Sequence, residues 1–115
     1  MNKTLLHFEG FCVLVLSAMV YAMLDYSWLM FFLLLLTPDL SMLGYFINQM
    51  QGAVIYNIFH SYFIPFLVIL IGIWISYSIL LAVGLIWTAH IGMDRMIGYG
   101  LKYPTDFKDT HLQRV

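Results

Sequence analysis

Ionisable side chains are rare inside apolar stretches, and this chain carries several that could do chemistry. They are two imidazoles and three carboxylates: Glu9, Asp39, His60, His90 and Asp94. Imidazole nitrogens and carboxylate oxygens bind zinc, manganese and iron, and carboxylates also act as general bases. If the fold brings these residues together, they predict a divalent metal site, with Asp39, Glu9 and Asp94 as candidate catalytic carboxylates.

The spacing of these residues supports a shared site. His90 and Asp94 are four residues apart, so they lie on one face of a helix. Asn57 and His60 are three residues apart and share a helix face in the same way. The sequence therefore predicts two polar helix faces, each carrying an imidazole.

Proline is expected to interrupt the stretch that carries Asp39. Pro38 has no backbone N–H and so frees a carbonyl one turn earlier, and Thr37 is expected to cap a new half-helix that starts at Pro38. Broken helices in membranes line protein or watery cavities and often frame binding sites. Pro65 predicts a bend just beyond His60.

The composition identifies lipid as the solvent of most of the chain. Of the 115 residues, 63% are hydrophobic and only 10% are charged, whereas a soluble domain has about 25% charged residues. The length predicts one domain, and a net charge of -1 with scattered cations excludes a basic surface for nucleic acid. The expected partners are membrane lipids.

Four apolar stretches have the length of a transmembrane helix, which needs about 20 residues to cross a bilayer core. We predict spans over residues 5–24, 27–46, 52–74 and 77–99. The connections are short, so neighbouring spans must run in opposite directions. The predicted fold is an all-α polytopic integral membrane protein, with four helices in an up-down-up-down bundle. Residues 1–100 form this transmembrane domain, and residues 101–115 form a polar C-terminal tail or lid.

The basic residues predict the orientation of this bundle. All of them fall on the side that holds both termini: Lys3, Arg95, Lys102, Lys108 and Arg114. The positive-inside rule therefore places both termini in the cytoplasm, and we expect Arg95 to extend to the headgroups there.

The up-down topology brings the five ionisable residues to one level. Counting along each helix places them at depths of roughly 6 to 12 Å in the cytoplasmic half. Each also has a structural interpretation: His60 could bond Asn57, Asp39 could stabilise a helix start, and Glu9 could face headgroups. Their convergence in one layer favours a buried His/Asp/Glu site.

Two further features concern packing. Gly84, Thr88 and Gly92 form a stripe of small residues at spacing four, nearly opposite the face of His90, and predict a homodimer interface. The tail beyond residue 100 is either a solvated end or a lid over the cytoplasmic side.

Several motifs resemble a family of small uncharacterised bacterial membrane proteins, the domain of unknown function 4260. They are Glu9-Gly10, residues 38–45, Tyr56-Asn57 with His60 and Tyr62, residues 90–95, residues 98–104, Phe107 and residues 110–112. The resemblance covers essentially the whole chain and implies a bacterial cytoplasmic membrane as its location. It also implies a role for the tail, where His111 is a further candidate metal ligand.

A fainter likeness links Pro38-Asp39 to bacterial membrane-bound metal-dependent hydrolases, although the expected second acidic residue is missing here. The leading hypothesis is therefore a metal-dependent, hydrolase-like membrane enzyme for a lipid-linked or amphipathic substrate, with zinc, manganese or iron bound. The alternatives are a small ion or proton transporter or channel-like protein, and a structural or partner-binding membrane protein.

Overall fold

The computed structural model describes residues 1–115 and is helical except for turns and one isolated bridge. Four helical segments are long and apolar enough to cross a membrane: Asn2–Met23, Trp28–Phe46, Gln49–Trp74 and Ser78–Ile97. These bounds lie within about three residues of the predicted spans. The all-α class and the four candidate spans are confirmed, and the orientation in a bilayer stays a prediction.

Two of the four spans are continuous and two are broken. The first is helix α1 (Asn2–Met23), and the last is α5 (Ser78–Ile97). The second consists of α2 (Trp28–Leu34) and a 3₁₀ helix (Thr37–Phe46). The third consists of α3 (Gln49–Phe59) and α4 (Phe63–Trp74), and a short helix α6 (His111–Arg114) ends the chain.

The break in the second span follows from Pro38. In a continuous α-helix the N–H of residue 38 would bond the carbonyl of Leu34, and proline has no hydrogen to donate. The hydroxyl of Thr37 donates to that carbonyl instead, at 2.6 Å. The predicted cap is therefore wrong: Leu36 occupies the N-cap position without a side-chain bond, because the Thr37 hydroxyl is used as a donor.

The break in the third span lies at residues 60–62 rather than at the proline itself. α3 ends at Phe59 and His60 occupies its C-cap, with its N–H bonded to the carbonyl of Tyr56. Pro65 is the third residue of α4, where the backbone N–H has no partner within the helix, so proline costs no bond there. The bend predicted beyond His60 is thus a complete interruption at His60.

α5 is the central helix, because 61% of its membrane-length window is buried against 17 to 22% in the other spans. α1 packs along it in the opposite direction, with Gly10 beside Gly92 at one end and Tyr21 beside Ala82 at the other. An added Cβ on Gly10 would lie 2.7 Å from the Gly92 carbonyl oxygen. The two backbones therefore touch at a point where only glycine fits.

The small-residue stripe lies inside the chain. Gly84 faces α4, where an added Cβ would lie 2.6 Å from Ile69, and Gly92 faces α1. Thr88 is buried between them and donates to the Gly84 carbonyl at 2.8 Å. The predicted dimer surface is therefore used for packing between the helices of one chain. A homodimer itself stays a prediction and would need another surface.

A cluster of apolar side chains fills the bundle from the end opposite the candidate site as far as Ala89, which precedes His90. Its members are Tyr21, Phe31, Ala82, Leu85, Ile86 and Ala89, which we call the apolar cluster. The Tyr21 hydroxyl donates to the carbonyl of Ser27 and so closes the connection between the first two spans. Many other large apolar side chains, such as Phe46 and Trp74, are exposed, which is typical of lipid-facing surfaces.

Candidate metal centre

Four of the predicted residues meet at one point in the structure: Asp39, His60, His90 and Asp94. Each offers one ligand atom, and these four atoms all lie within 4.8 Å of one another. The Nε2 atoms of His60 and His90 are 3.2 Å apart. Asp39 Oδ1 lies 3.2 Å from the first and 3.1 Å from the second. Asp94 Oδ2 lies 3.4 Å from His60 Nε2 and 3.2 Å from His90 Nε2.

These separations match those of a tetrahedral metal site. Nitrogen and oxygen ligands at about 2.0 to 2.1 Å from zinc lie about 3.3 to 3.4 Å apart when the coordination is tetrahedral. Five of the six ligand separations fall between 3.1 and 3.4 Å. The cluster, which we call the His/Asp group, therefore has the size of a site for one ion.

Two of the four residues of the His/Asp group lie at the helix breaks. Asp39 lies in the first turn of the 3₁₀ helix, directly after the interruption at Pro38. His60 lies at the C-cap of α3, where the third span is interrupted. His90 and Asp94 come from consecutive turns of the continuous helix α5, as their spacing predicts.

The hydrogen bond of His60 fixes which of its nitrogens faces the site. Its Nδ1 lies 2.9 Å from the backbone carbonyl of Tyr56, which can only accept, so Nδ1 carries a hydrogen and donates it. In the neutral ring the lone pair is then on Nε2, which faces the other three ligand atoms. A metal-binding histidine usually donates the N–H of its other ring nitrogen to a backbone carbonyl or a carboxylate in this way. The Tyr56 ring also stacks on the imidazole, with centroids 3.7 Å apart.

The His/Asp group could hold a cation, which would satisfy its buried nitrogen and oxygen atoms. Both imidazoles are fully buried, and Nδ1 of His90 has no hydrogen-bond partner. With His60 Nε2 unprotonated, its lone pair faces carboxylate oxygens whose lone pairs repel it. One divalent ion would satisfy all four atoms at once, which is why buried charges of this kind are paired or coordinate metals.

Arg95 stabilises the surroundings of the site. It is buried, and its guanidinium donates to the carbonyl of His60 at 2.7 Å and to that of Tyr99 at 2.9 Å. The predicted extension of Arg95 to the headgroups is therefore wrong. The break at His60 leaves that carbonyl without a helical partner, and the guanidinium supplies the missing donor.

Glu9 and His111 lie outside the His/Asp group. Gly10 faces α5, so its neighbour Glu9 is turned away and exposed. His111 accepts a hydrogen bond at Nδ1 from the N–H of Leu101, at 2.8 Å. Both residues line a different, mainly apolar groove of about 770 Å³, together with Arg95.

A smaller cavity opens directly onto the His/Asp group. Its volume is about 190 Å³, and Asp39 and Asp94 are among the residues that line it. The rest of the lining is mixed: Met42, Tyr56, Tyr99, Lys102 and Phe107. The Asp39 side chain is 31% exposed whereas that of Asp94 is 8% exposed, so Asp39 is the more open side of the group.

The C-terminal tail packs against this end of the bundle. Lys102 pairs with Thr110 in the isolated bridge, and His111 N–H donates to the Leu101 carbonyl at 2.8 Å. The Asn57 side chain bonds the backbone N–H and carbonyl of Lys102, at 2.6 and 2.8 Å. Thr110 and Leu112 are fully buried. The tail therefore forms part of the cavity wall.

Comparison with known protein families identifies the family of the chain. The family model described as domain of unknown function, DUF4260, matches residues 3–115, nearly the whole length. The chain belongs to the DUF4260 family. This confirms the family that the sequence motifs resemble. No curated protein and no solved structure matches the chain.

The sequence of this DUF4260 chain did not point to two residues beside the His/Asp group. Lys102 looked like an ordinary basic residue of the tail, yet it is buried and lines the cavity. Tyr56 stood next to Asn57 in the family motif but carried no assigned role. The only available signal was that both lie in motifs shared with the family, since the long-range contacts that place them leave no local pattern.

Proposed function

We propose that this protein is a metal-dependent membrane enzyme, a hydrolase acting on an amphipathic or lipid-linked substrate at the cytoplasmic interface. The observation that supports this most strongly is the His/Asp group, four buried or half-buried donors with the separations of one tetrahedral ion. The cavity beside Asp39 and Asp94 supports catalysis, because it leaves room for a reacting group next to the ligands.

Two imidazole nitrogens and two carboxylate oxygens suit zinc, manganese or iron. Zinc is the first expectation, since the ligand separations are those of a tetrahedral site and zinc prefers that geometry. When bound, such an ion would lower the pKa of a coordinated water molecule and polarise the substrate. In this proposal His60, His90 and Asp94 hold the ion, and the fourth position, beside Asp39, is left to water.

Asp39 is the residue we propose as the general base. Its carboxylate is the most exposed of the group and borders the cavity. In hydrolysis, the water oxygen bonds to the electrophilic atom of the substrate while one water proton passes to Asp39. The bond to the leaving group then breaks, and the leaving group takes that proton.

The amphipathic substrate is supported by the large groove along α1. Its lining is mainly apolar, with Glu9, Ser61, Arg95 and His111 as its charged and polar members. An acyl chain could lie there with its polar end near the cytoplasmic side. We assign Glu9 and His111 to substrate contacts in this groove rather than to metal coordination.

A structural role for a bound ion is the second candidate. Four protein side chains can complete a tetrahedron without water, which is typical of closed structural sites. Transport is less favoured, because the apolar cluster occupies the opposite end of the bundle and offers no second polar station.

Metal analysis of purified protein tests the proposal. We expect about one equivalent of metal in the wild type and almost none in His60→Ala or His90→Ala, because each loses a ligand. His7→Ala is a matched control, since His7 is also a histidine of the bundle but bonds the Met96 carbonyl and is not one of the four ligands. A wild type that stays metal-free after exposure to zinc, manganese and iron salts would end the proposal.

Asp39→Asn separates the enzyme from the structural candidate. The amide cannot accept the water proton, so we expect hydrolysis of an amphipathic ester to fall by about 100-fold or more while metal remains bound. If the metal-loaded wild type hydrolyses no such ester, and chelation only lowers its stability, the structural candidate is the better one.

A further inference from the structure

The Lys102 ammonium is buried without an anionic partner. Only 4% of the residue is exposed, and Nζ donates to the carbonyl of Phe107 at 2.6 Å. It also lies over two aromatic rings, 3.6 Å from the centroid of Phe107 and 4.5 Å from that of Tyr56. An ammonium has three N–H donors, so two remain without an oxygen acceptor in the protein. Lysine is almost never buried in this way unless it is paired.

The backbone holds Lys102 in this position. The side chain of Asn57, on α3, bonds both its N–H and its carbonyl, and the bridge to Thr110 braces it from the tail. Burial lowers the pKa of Lys102, and the charges of Asp94, Asp39 and Asp106, which raise it, do not offset that effect. The ammonium is therefore a fixed positive charge on the cavity wall rather than a mobile surface group.

Lys102 and the His/Asp group border the same cavity. Its lining includes Asp39 and Asp94 of the group together with Lys102. Its volume of about 190 Å³ equals that of about six liquid water molecules, since each occupies about 30 Å³. A phosphate group fits in this space.

The charge of the cavity depends on the metal. Two carboxylates neutralise a divalent ion, so with the ion present the ammonium leaves the cavity net positive. Without the ion the site loses two positive charges and attracts an anion less strongly. Anion binding should therefore be strengthened by the metal.

We propose that this cavity binds the phosphate group of a phosphate monoester, held between the Lys102 ammonium and the metal centre. A phosphate offers several acceptor oxygens to the two N–H donors that have no oxygen acceptor in the protein, and lysine is a common phosphate ligand. The inference rests on the proposed function and makes it a phosphatase. The water oxygen bonds to phosphorus, the ester P–O bond breaks, and the leaving oxygen takes the proton that Asp39 received.

Binding of inorganic phosphate to zinc-loaded protein in phosphatidylcholine nanodiscs tests this inference. We expect Lys102→Met to weaken binding at least tenfold with no loss of zinc, because only the ammonium is removed. Lys108→Met is the matched control, an exposed lysine of the same tail, and should bind like the wild type. A second arm replaces inorganic phosphate with phosphatidic acid in the nanodiscs and measures binding of that lipid. Binding in the first arm identifies free phosphate as a ligand, and binding in the second arm alone identifies a lipid headgroup.

A second measurement avoids any folding defect of the variant. In the zinc-loaded wild type, whichever of the two ligands binds should slow acylation of Lys102 but not of Lys108. Mass spectrometry measures the acylation. The inference is overturned if zinc-loaded wild type binds phosphate in neither arm, if Lys102→Met binds equally well, or if Lys102 gains no protection. A wild type that holds no metal would overturn the proposed function as well, so the two failures are distinguishable.

Discussion

At one end of the helix bundle the side chains between the helices are aromatic and aliphatic, and at the other they are imidazoles, carboxylates and a guanidinium. Tyr21 and Phe31 pack edge to face in the apolar cluster, with centroids 5.1 Å apart. At the polar end, His60 and His90 contact both aspartates, and Arg95 ties α5 to the broken third span.

The difference between the ends indicates how each would determine the structure of such a bundle in a lipid bilayer. Lipid tails are as apolar as Leu or Ile, so the apolar end gains from close packing but not from exclusion of water. Polar contacts are directional and have no equivalent in lipid. The polar end therefore sets which residues of the spans meet, and the apolar end fills the space that remains.

The largest expected effect is the stabilisation of the protein by a bound metal ion, which acts at the polar end alone. An ion at about a thousand times its Kd raises the unfolding free energy by about 4 kcal/mol, because it binds only the folded state. We expect this increment in the wild type and not in His90→Ala, as measured by thermal unfolding in detergent with zinc or chelator. An equal increment in both proteins would show that zinc binds elsewhere.

Ile86→Ala should weaken the apolar end and leave the polar end intact. Ile86 is 2% exposed in the apolar cluster, and its truncation leaves a cavity. We expect a loss of about 2 kcal/mol, at the low end for such changes because packing alone is lost. Zinc content should not change. Ile79→Ala, at a residue 55% exposed, should cost little.

The tail should loosen at acidic pH. Burial, together with the nearby Arg95 charge, lowers the pKa of His111. In a detached tail the imidazole has its ordinary pKa of about 6.5, so the detached state binds more protons below that pH. Attachment therefore weakens as the pH falls from about 6.5 to the lowered pKa. Faster amide exchange at Leu112 near pH 5.5 than near pH 7.5, after correction for intrinsic rates, would show it.

His111→Phe is the control for this pH effect. It removes the bond from the Leu101 N–H, which costs about 1 kcal/mol of attachment, and it removes the titrating group. If the variant keeps the same pH dependence, the effect does not come from His111.

The smallest expected effect is at the exposed end of the tail. The Arg114 guanidinium and the Thr105 hydroxyl donate to Asp109 and hold the pKa of its carboxyl at about 2. In Arg114→Ala this pKa should rise toward the ordinary value of about 3.9, as measured by NMR titration. Zinc content should not change, since neither end of the bundle is involved. An unchanged pKa would show that Thr105 alone sustains it.

Much of the fold could be predicted from the chain, because length and hydrophobicity are local properties. The four spans were found within about three residues, and the pairing of His90 with Asp94 followed from a spacing of four. The layer argument also anticipated that Asp39 and His60 would join them. The role of Thr37 was not predictable in the same way, since its hydroxyl can act either as a cap or as a donor.

By itself the sequence determined that the protein is helical, that it has four membrane-length segments, and at which position along its helical segment each ionisable residue lies. Only the tertiary structure decided which of those residues face one another. Depth depends on position along a helix, whereas facing depends on rotation about the helix axis, which packing contacts such as Gly10 against Gly92 determine. For the same reason Glu9 points outward, and Lys102 enters the cavity through its contact with Asn57, 45 residues away.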